Sequence, residues 1–364
     1  MDNTNAPKMM IDCYLDWVKK EGIPVAEGLG IDLFAVETKP WPRFGVNGAA
    51  AHLKGRGDFI SMFVLEIPPS AATAPQQHLY EEVVYVLAGR GSTTIEVADG
   101  RKHSFEWGPM SMFAIPLNAK YRLFNGSGVE SARLVSTTNM PAVMNMFHNE
   151  DFIFKNGWQF DERVGASKYF TGEGDFIPVR QGNHMWETNF VPDLATIELK
   201  DLGDRGAGGT NIQFILADGT MHAHISEMPV GTYKKGHRHA ADYHVMCVTG
   251  TGYSLLWYDD KDLNRVDWKH GTVFAPPDQM FHQHFNTSAE PARYLATAYG
   301  SLRYPFTESK RRSFQGAFWT SVKEGGDQIE YADQSPRIQQ LFEEAMKKTG
   351  VKSQMAKFLP PQRP

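Results

Sequence analysis

The chain has little cysteine, no long apolar run and no strong charge of either sign. Cys13 and Cys247 are its only cysteines, and two isolated cysteines are typical of unpaired thiols rather than of a disulfide framework. Neither lies in a Cys-x-x-Cys pair, which argues against thiolate metal binding. No run of about 18 apolar residues occurs, so no transmembrane helix is expected. The net charge of −5 does not indicate a nucleic acid or an anionic membrane as partner.

The two ends of the chain predict helices. Residues 1–17 lack the basic segment and apolar core of a secretory signal, and with two unpaired thiols this predicts a cytoplasmic protein. Apolar residues at helical spacing predict a helix over residues 8–20. Residues 336–348 predict another, which Pro336 begins and Gly350 ends.

Between these ends the texture is that of β-strands. Short β-rich runs separated by Gly, Pro and Asn occupy two stretches and predict an all-β protein with two barrels or sandwiches. The predicted division is an N-terminal helix and arm (1–44), a first barrel (45–150), a connecting segment packed on the barrels (151–204), a second barrel (205–300) and a C-terminal extension with a helix (301–364).

The two β regions are copies of one another. A shift of 161 positions without a gap superposes thirteen identical residues. Most are turn glycines and prolines or large aromatic residues, which a β-barrel requires for physical reasons. The pairs are Glu66/Glu227, Pro68/Pro229, His78/His239, Val84/Val245, Gly89/Gly250, Gly91/Gly252, Trp107/Trp268, Phe113/Phe274, Ala114/Ala275, Pro116/Pro277, Phe124/Phe285, Asn125/Asn286 and Ser127/Ser288.

Histidines concentrate in the second copy. His237 and His239 are two residues apart, and on a strand such residues face the same side. His282 follows about 43 positions later. Three imidazoles that converge inside a small barrel can bind a divalent first-row metal.

This pattern resembles the two conserved motifs of the cupin superfamily. Gly231, followed after five residues by His237-x-His239 and closed by Gly250, is similar to the first motif. Pro277, His282 and Asn286 are similar to the second. The resemblance implies two tandem cupin barrels (double-stranded β-helix, jelly roll) with short flanking helices, and His237, His239 and His282 as metal ligands.

The usual glutamate ligand of the cupin motif is missing. A spacer of three residues after His239 places Tyr243 there, opposite Glu82 of the first copy, and a spacer of four places His244 there. Strand alternation brings only one of the two inward unless a bulge intervenes. The in-register glycines favour Tyr243, and the unusual histidine favours His244, which is retained as a fourth ligand.

The first copy lacks two of the imidazoles. Gln76, His78, Glu82 and Tyr121 stand at the ligand positions. Because an amide is a poor ligand and a tyrosine binds well only as phenolate, no tight metal is expected in that barrel.

Further residues are expected around the second site. Tyr243 and His284 are candidate catalytic groups, and the candidate substrate contacts are Trp257, Gln279, Phe281, Met246 and Arg303. For Arg303 and the neighbouring Tyr304, a surface ion pair and a packed ring are the simpler interpretation. The pair Lys234–Lys235 is interpreted as part of a solvated loop.

The stretch from His237 to Gly252 is similar to the metal motif of gentisate 1,2-dioxygenase and related bicupin ring-cleaving enzymes. That resemblance implies an Fe(II) dioxygenase cleaving a C–C bond of a hydroxylated aromatic or enolisable substrate, with one metal per chain and a homo-oligomeric state. Mn, Ni, Cu and Zn also accept imidazoles. The alternatives are a non-redox isomerase, lyase or decarboxylase, and a small-molecule-binding protein without turnover.

Overall fold

The computed structural model describes residues 10–180 and 183–360. The N-terminal residues 1–9, where the predicted helix would begin, lie outside this range. Asp12 caps the first helix by accepting a hydrogen bond from the Leu15 backbone N–H at 2.9 Å. The last helix begins at Pro336 and ends at Gly350, which has the left-handed φ of 71°, as predicted. The helices are α1 Cys13–Glu21, α2 Met140–Phe147, α3 Glu150–Phe154, α4 Glu308–Phe314 and α5 Pro336–Thr349.

The strands of the first half of the chain follow the predicted β-rich runs. They are β1 Val25–Gly28, β2 Gly30–Asp32, β3 Lys39–Trp41, β4 Val46–Leu53, β5 Ser61–Ile67, β6 Glu82–Ala88, β7 Gly91–Glu96, β8 Lys102–Trp107, β9 Met112–Ile115, β10 Lys120–Asn125 and β11 Ala132–Thr138.

The connecting segment and the second half contain the remaining strands. They are β12 Asp175–Arg180, β13 Asn183–Glu187, β14 Phe190–Val191, β15 Lys200–Asp201, β16 Thr210–Ile215, β17 Met221–Met228, β18 Gly236–His237, β19 Tyr243–Thr249, β20 Gly252–Trp257, β21 Asn264–Trp268, β22 Thr272–Phe274, β23 Phe281–Asn286, β24 Ala292–Tyr299 and β25 Gln328–Ile329.

Each barrel consists of a large and a small sheet. In the first barrel the large sheet has the order β1-β4-β5-β11-β6-β9-β14, with β3 beside β4, and the small sheet has the order β10-β7-β8. In the second barrel the large sheet runs β12-β13-β16-β17-β24-β19-β22-β2, with β15 beside β16, and the small sheet runs β21-β20-β23-β18-β25. The predicted all-β fold of two tandem barrels with short flanking helices is confirmed.

The large sheets of the two barrels pack against each other. One hydrophobic cluster joins Met62 and Val83 of the first barrel to Met246 and Leu295 of the second. Each large sheet is therefore buried on both faces, inside its barrel and at the contact between barrels. This explains why strands such as β6 and β19 read as nearly continuous apolar runs without alternation.

The repeat found in the sequence is also a repeat of contacts. The side-chain amide of Asn125 donates to the carbonyls of Ile67, Pro68 and Glu130, and that of Asn286 donates to the carbonyls of Met228, Pro229 and Glu290 in the second barrel. A Cβ at either Gly91 or Gly252 would lie 2.0 Å from a backbone oxygen. These positions are identical because both barrels need the same tight closures.

Segments outside the predicted barrels add strands to the barrel sheets. β2, from the N-terminal arm, pairs with β22 of the second barrel, and β14, from the connecting segment, pairs with β9 of the first. The domain boundaries drawn from the sequence therefore stay a prediction. Among the described helices, none is long and apolar enough to cross a lipid bilayer.

Candidate metal centre

Three buried histidines converge inside the second barrel. His237 on β18 lies directly opposite His282 on β23. His239 follows just after β18, and its carbonyl accepts a hydrogen bond at 2.9 Å from the backbone N–H of Gln279, in the turn before β23. One ring nitrogen from each of the three histidines lies within 4.8 Å of the others. The spacing of both sequence motifs thus brings their histidines to one point.

The donor set fits a divalent transition metal. Nδ1 of His239 hydrogen-bonds to the Ala240 carbonyl at 2.7 Å, and Nδ1 of His282 to the Met280 carbonyl at 3.1 Å. These bonds orient the rings and leave Nε2 of each available to a metal. Burial lowers the pKa of His237 and His239 well below the usual value and that of His282 to about 3. All three imidazoles are neutral at physiological pH, the form that binds metals.

Tyr243, not His244, occupies the position of the missing glutamate. The ring of Tyr243 lies 4.2 Å from that of His239 between centroids, whereas His244 points to the other face of β19, toward the first barrel. The prediction of His244 as fourth ligand is therefore corrected, because β19 has no bulge there and consecutive side chains alternate.

His284 lies beside the three ligand histidines. Its ring centroid is 5.5 Å from that of His282 and 6.1 Å from that of His237. Its Nδ1 pairs with the Ser254 hydroxyl at 2.8 Å, and that hydroxyl in turn accepts from the Trp268 indole N–H at 3.1 Å. The ring is therefore held in one orientation, but its catalytic role stays a prediction.

The ligand histidines open onto a cavity of about 70 Å³, which we call the histidine cavity. Its polar side chains come from both sheets and from segments outside the barrel. Its lining residues are Leu202, Arg205, Asn211, Gln213, His222, His224, Ser226, Lys234, His237, His239, Tyr243, Val245, His282, His284, Tyr294, Ala296, Phe314, Phe318 and Trp319.

Two cationic side chains of this cavity were missed or misread in the sequence. Lys234, interpreted above as solvated, is 2% exposed, and its Nζ lies 5.0 Å from the centroid of the Tyr294 ring. Arg205 is also buried and donates to the Phe318 carbonyl and to the Gln328 side chain at 2.7 and 2.9 Å. Burial lowers the pKa of Arg205 to about 10, so it stays charged at neutral pH. Of the described residues that line the cavity, none carries a carboxylate.

The C-terminal extension forms one wall of the cavity. Phe314 at the end of α4 and Phe318 soon after it line the space, and the Phe318 ring lies 5.8 Å from that of His239 and 6.1 Å from that of His237. No periodicity in residues 308–320 marks this role. It depends on how the chain returns after β24.

The five predicted substrate contacts do not line the cavity. Met246 shares the face of His244 at the contact between barrels. Trp257 packs with the C-terminal helix on the outer face of the small sheet, and Phe281 stacks on it at 6.0 Å. Gln279 is exposed in the turn before β23. Arg303 pairs with two carboxylates, Glu187 at 2.8 Å and Asp218 at 2.6 Å. In each case proximity in sequence to a ligand strand did not determine which side the residue faces.

In the first barrel the corresponding residues bind one another. The Tyr121 hydroxyl donates to Glu82 at 2.6 Å, the Ser136 hydroxyl donates to the other carboxylate oxygen, and His78 lies 3.3 Å from Glu82. Burial alone would raise the pKa of Glu82, but these hydrogen bonds hold it below its usual value. The side-chain amide of Gln76 donates to two backbone carbonyls. This network satisfies the groups that would otherwise act as ligands.

Comparison with known proteins gives a match in structure but none in sequence. No family model matches the chain, and no curated protein does. A variant of Bacillus subtilis oxalate decarboxylase has a TM-score of 0.49 at 14% identity and covers 76% of this chain and 78% of its own. The formate complex of Lactobacillus farciminis oxalate decarboxylase has a TM-score of 0.49 at 14% identity, covering 75% and 86%. A structure from a study of the Mn(II) centres in Bacillus subtilis oxalate decarboxylase has a TM-score of 0.47 at 15% identity. It covers 76% of this chain and 78% of its own.

The chain forms two tandem barrels of two sheets each, and three histidines converge inside the second. The fold is that of a bicupin. The comparison finds oxalate decarboxylases and gives no support to the closer resemblance to gentisate 1,2-dioxygenase. It contradicts the predicted dioxygenase, because the enzymes that it finds are decarboxylases and not oxidoreductases. Iron as the metal is likewise without support.

Proposed function

We propose that this bicupin is a non-redox metalloenzyme of the decarboxylase, lyase or isomerase class, acting on a small carbonyl compound that bears a carboxylate. The observation that carries the proposal is the charge pattern of the histidine cavity. Neutral imidazoles, the Arg205 guanidinium and the Lys234 amine surround it, and none of its lining residues within 10–180 and 183–360 carries a carboxylate. Such a cavity favours an anionic ligand.

The size of the cavity supports a small substrate. Its volume of about 70 Å³ is several times the roughly 10–15 Å³ that one water requires. A molecule of a few heavy atoms therefore fits the cavity as it stands.

Different side chains of the cavity would bind the metal, the carboxylate and the substrate oxygen. His237, His239 and His282 would hold a divalent metal, which when bound supplies a Lewis acid that polarises a carbonyl oxygen. Arg205 and Lys234 would bind the carboxylate through charge-assisted hydrogen bonds. Burial raises the pKa of Tyr243, so its phenol stays protonated and can donate a hydrogen bond to a substrate oxygen.

Metal binding is the first test. Elemental analysis of protein from its native host is expected to give one divalent transition metal per chain, and His237→Ala is expected to lose it because two imidazoles hold the ion poorly. His270→Ala, outside the cavity, serves as the matched control and keeps the metal. Full occupancy in His237→Ala would contradict the assignment, and two metals per chain would contradict the interpretation of the first barrel.

Anion binding is the second test, with pyruvate as probe. Lys234→Met is expected to weaken pyruvate binding by calorimetry roughly 10-fold or more, because a charge-assisted hydrogen bond contributes about 1.5–3 kcal/mol. Lys235→Met is the control, since Lys235 pairs instead with Glu330 at 2.6 Å. Equal affinities for the two variants would exclude Lys234 from the carboxylate site.

A further inference from the structure

The histidine cavity holds a second, separate pair of imidazoles. His222 and His224 alternate on β17 and so face the same side of the sheet, and both line the cavity. Nε2 of His222 and Nδ1 of His224 are 2.9 Å apart, the distance of a hydrogen bond. Neither residue belongs to the trio of ligand histidines.

The pair is neutral and has two forms. Burial lowers the pKa of His222 well below its usual value and that of His224 to about 3, and Lys310 adds to both effects. One proton lies in the bond between the rings. When His224 donates it, Nε2 of His224 is a free base, and when His222 donates it, that nitrogen carries a proton. His222 Nδ1 is buried and has no hydrogen-bond partner among the described residues.

The pair lies within reach of a substrate at the ligand histidines. Across the large sheet, His224 is opposite Ala296 of β24 and His222 is opposite Ala298, and Ala296 also lines the cavity. The His222 ring is 5.9 Å from that of Tyr243 between centroids, and Tyr243 is 4.2 Å from His239. Both histidine groups line the same cavity of about 70 Å³, so a molecule that fills it can touch both.

We propose that His222 and His224 form a proton-transfer pair for a substrate held at the ligand histidines, an inference that rests on the proposed function. A C–H bond beside the substrate carbonyl breaks, and its electron pair moves into an enolate. The proton goes to Nε2 of His224, and the positive charge is shared with His222 through the bond between them. Return of the proton to the substrate restores the neutral pair, so no oxidant or reductant is needed.

Proton exchange tests the pair directly. Metal-loaded protein in D₂O is expected to exchange the C3 hydrogens of pyruvate, followed by ¹H NMR. His224→Asn keeps a polar atom near Nδ1 but removes Nε2, and His222→Gln keeps one near Nε2 but cannot share a proton. Each is expected to slow exchange roughly 100-fold, the usual contribution of acid–base catalysis, with metal content and pyruvate affinity unchanged. His270→Gln is the control and keeps the wild-type rate.

Two readouts exclude a merely structural role. Added imidazole is expected to restore exchange in His224→Ala but not in His237→Ala. In metal-free wild-type protein, ¹⁵N NMR at pH 7 is expected to show both rings neutral with one proton between them. This measurement needs no variant, so it does not depend on whether a variant folds.

Wild-type protein that binds metal and pyruvate but does not exchange hydrogen would overturn the proton-transfer pair alone, as would wild-type rates in both variants. Absence of metal or of pyruvate binding in the wild type would overturn the proposed function, and this inference with it.

Discussion

Tyr243 and His244 are neighbours with opposite environments. Tyr243 faces the ligand histidines, while His244 is 1% exposed, and neither of its ring nitrogens has a hydrogen-bond partner among the described residues. Burial lowers the pKa of His244 to about 3, so a neutral imidazole lies unsatisfied between the barrels. A buried polar group without a partner costs stability.

Replacement of His244 separates the two roles it could have. His244→Leu is expected to keep the metal and to raise the free energy of unfolding by about 1 kcal/mol, because it removes an unsatisfied polar group. Elemental analysis and urea unfolding measure the two quantities. His239→Leu is the matched variant and is expected to lose the metal, and loss of metal in His244→Leu would restore His244 as a ligand.

At the scale of elements, the C-terminal extension holds the segment that carries His237 and His239. Asp327, 3% exposed, accepts from Arg312 of α4 at 2.6 Å and from Arg238, between two ligand histidines, at 3.3 Å. The Arg238 backbone N–H also donates to the Asp327 carbonyl at 3.0 Å. One carboxylate thus joins the cavity wall to the His-x-His segment.

Loss of that carboxylate should loosen the wall. Asp327→Asn is expected to destabilise the protein by about 1–3 kcal/mol, because two arginines lose their anionic partner, and to speed amide hydrogen exchange over residues 308–329. Mass spectrometry of exchanged peptides measures this. Asp333→Asn, whose partner Lys323 is mostly exposed, is the control. Unchanged exchange over residues 308–329 would show that the aromatic wall is held without Asp327.

At the scale of the whole molecule, the barrels behave as one structural body. Their large sheets share a hydrophobic cluster, and strands β2 and β14 cross from the flanking segments to opposite barrels. Burial also affects two histidines. It lowers the pKa of His244, which lies at the contact between the barrels, to about 3, and it lowers the pKa of His52, which hydrogen-bonds to the Tyr14 hydroxyl of α1, to about 4.

These histidines predict a loss of stability in acid. In the unfolded chain they titrate near the usual value of about 6.5, so below that pH the unfolded state binds more protons than the folded one. The free energy of unfolding is not reduced by these histidines above about pH 6.5. It falls as the pH drops toward 4, by roughly 1.4 kcal/mol per pH unit for each such histidine. Urea unfolding of metal-free protein at pH 7.5, 6 and 5 measures it. His244→Leu is expected to reduce the slope, and a stability independent of pH would contradict the account.

Much of the fold and of the candidate metal centre could be predicted from the sequence. Turn glycines, barrel aromatics and the shift of 161 positions predicted two copies of one barrel, because tight turns and strand alternation depend on local backbone geometry. The same local rule brought His237, His239 and His282 together. His222 and His224 are also two residues apart, a spacing that places them on one face of a strand in the same way.

The walls of the cavity could not be read in this way. Lys234, Arg205 and Phe318 reach the site from a loop, from the approach to the barrel and from the C-terminal extension. No local pattern connects such segments, since only tertiary packing brings them together.

The sequence by itself determined that one barrel carries three convergent imidazoles, the candidate metal ligands, and the other does not. Only the tertiary structure decided that Tyr243 rather than His244 faces them. β19 is buried on both sides, so its apolar residues show no alternation that distinguishes the inside of the barrel from the contact between barrels. Where both faces of a strand are covered, orientation is set by what each face packs against.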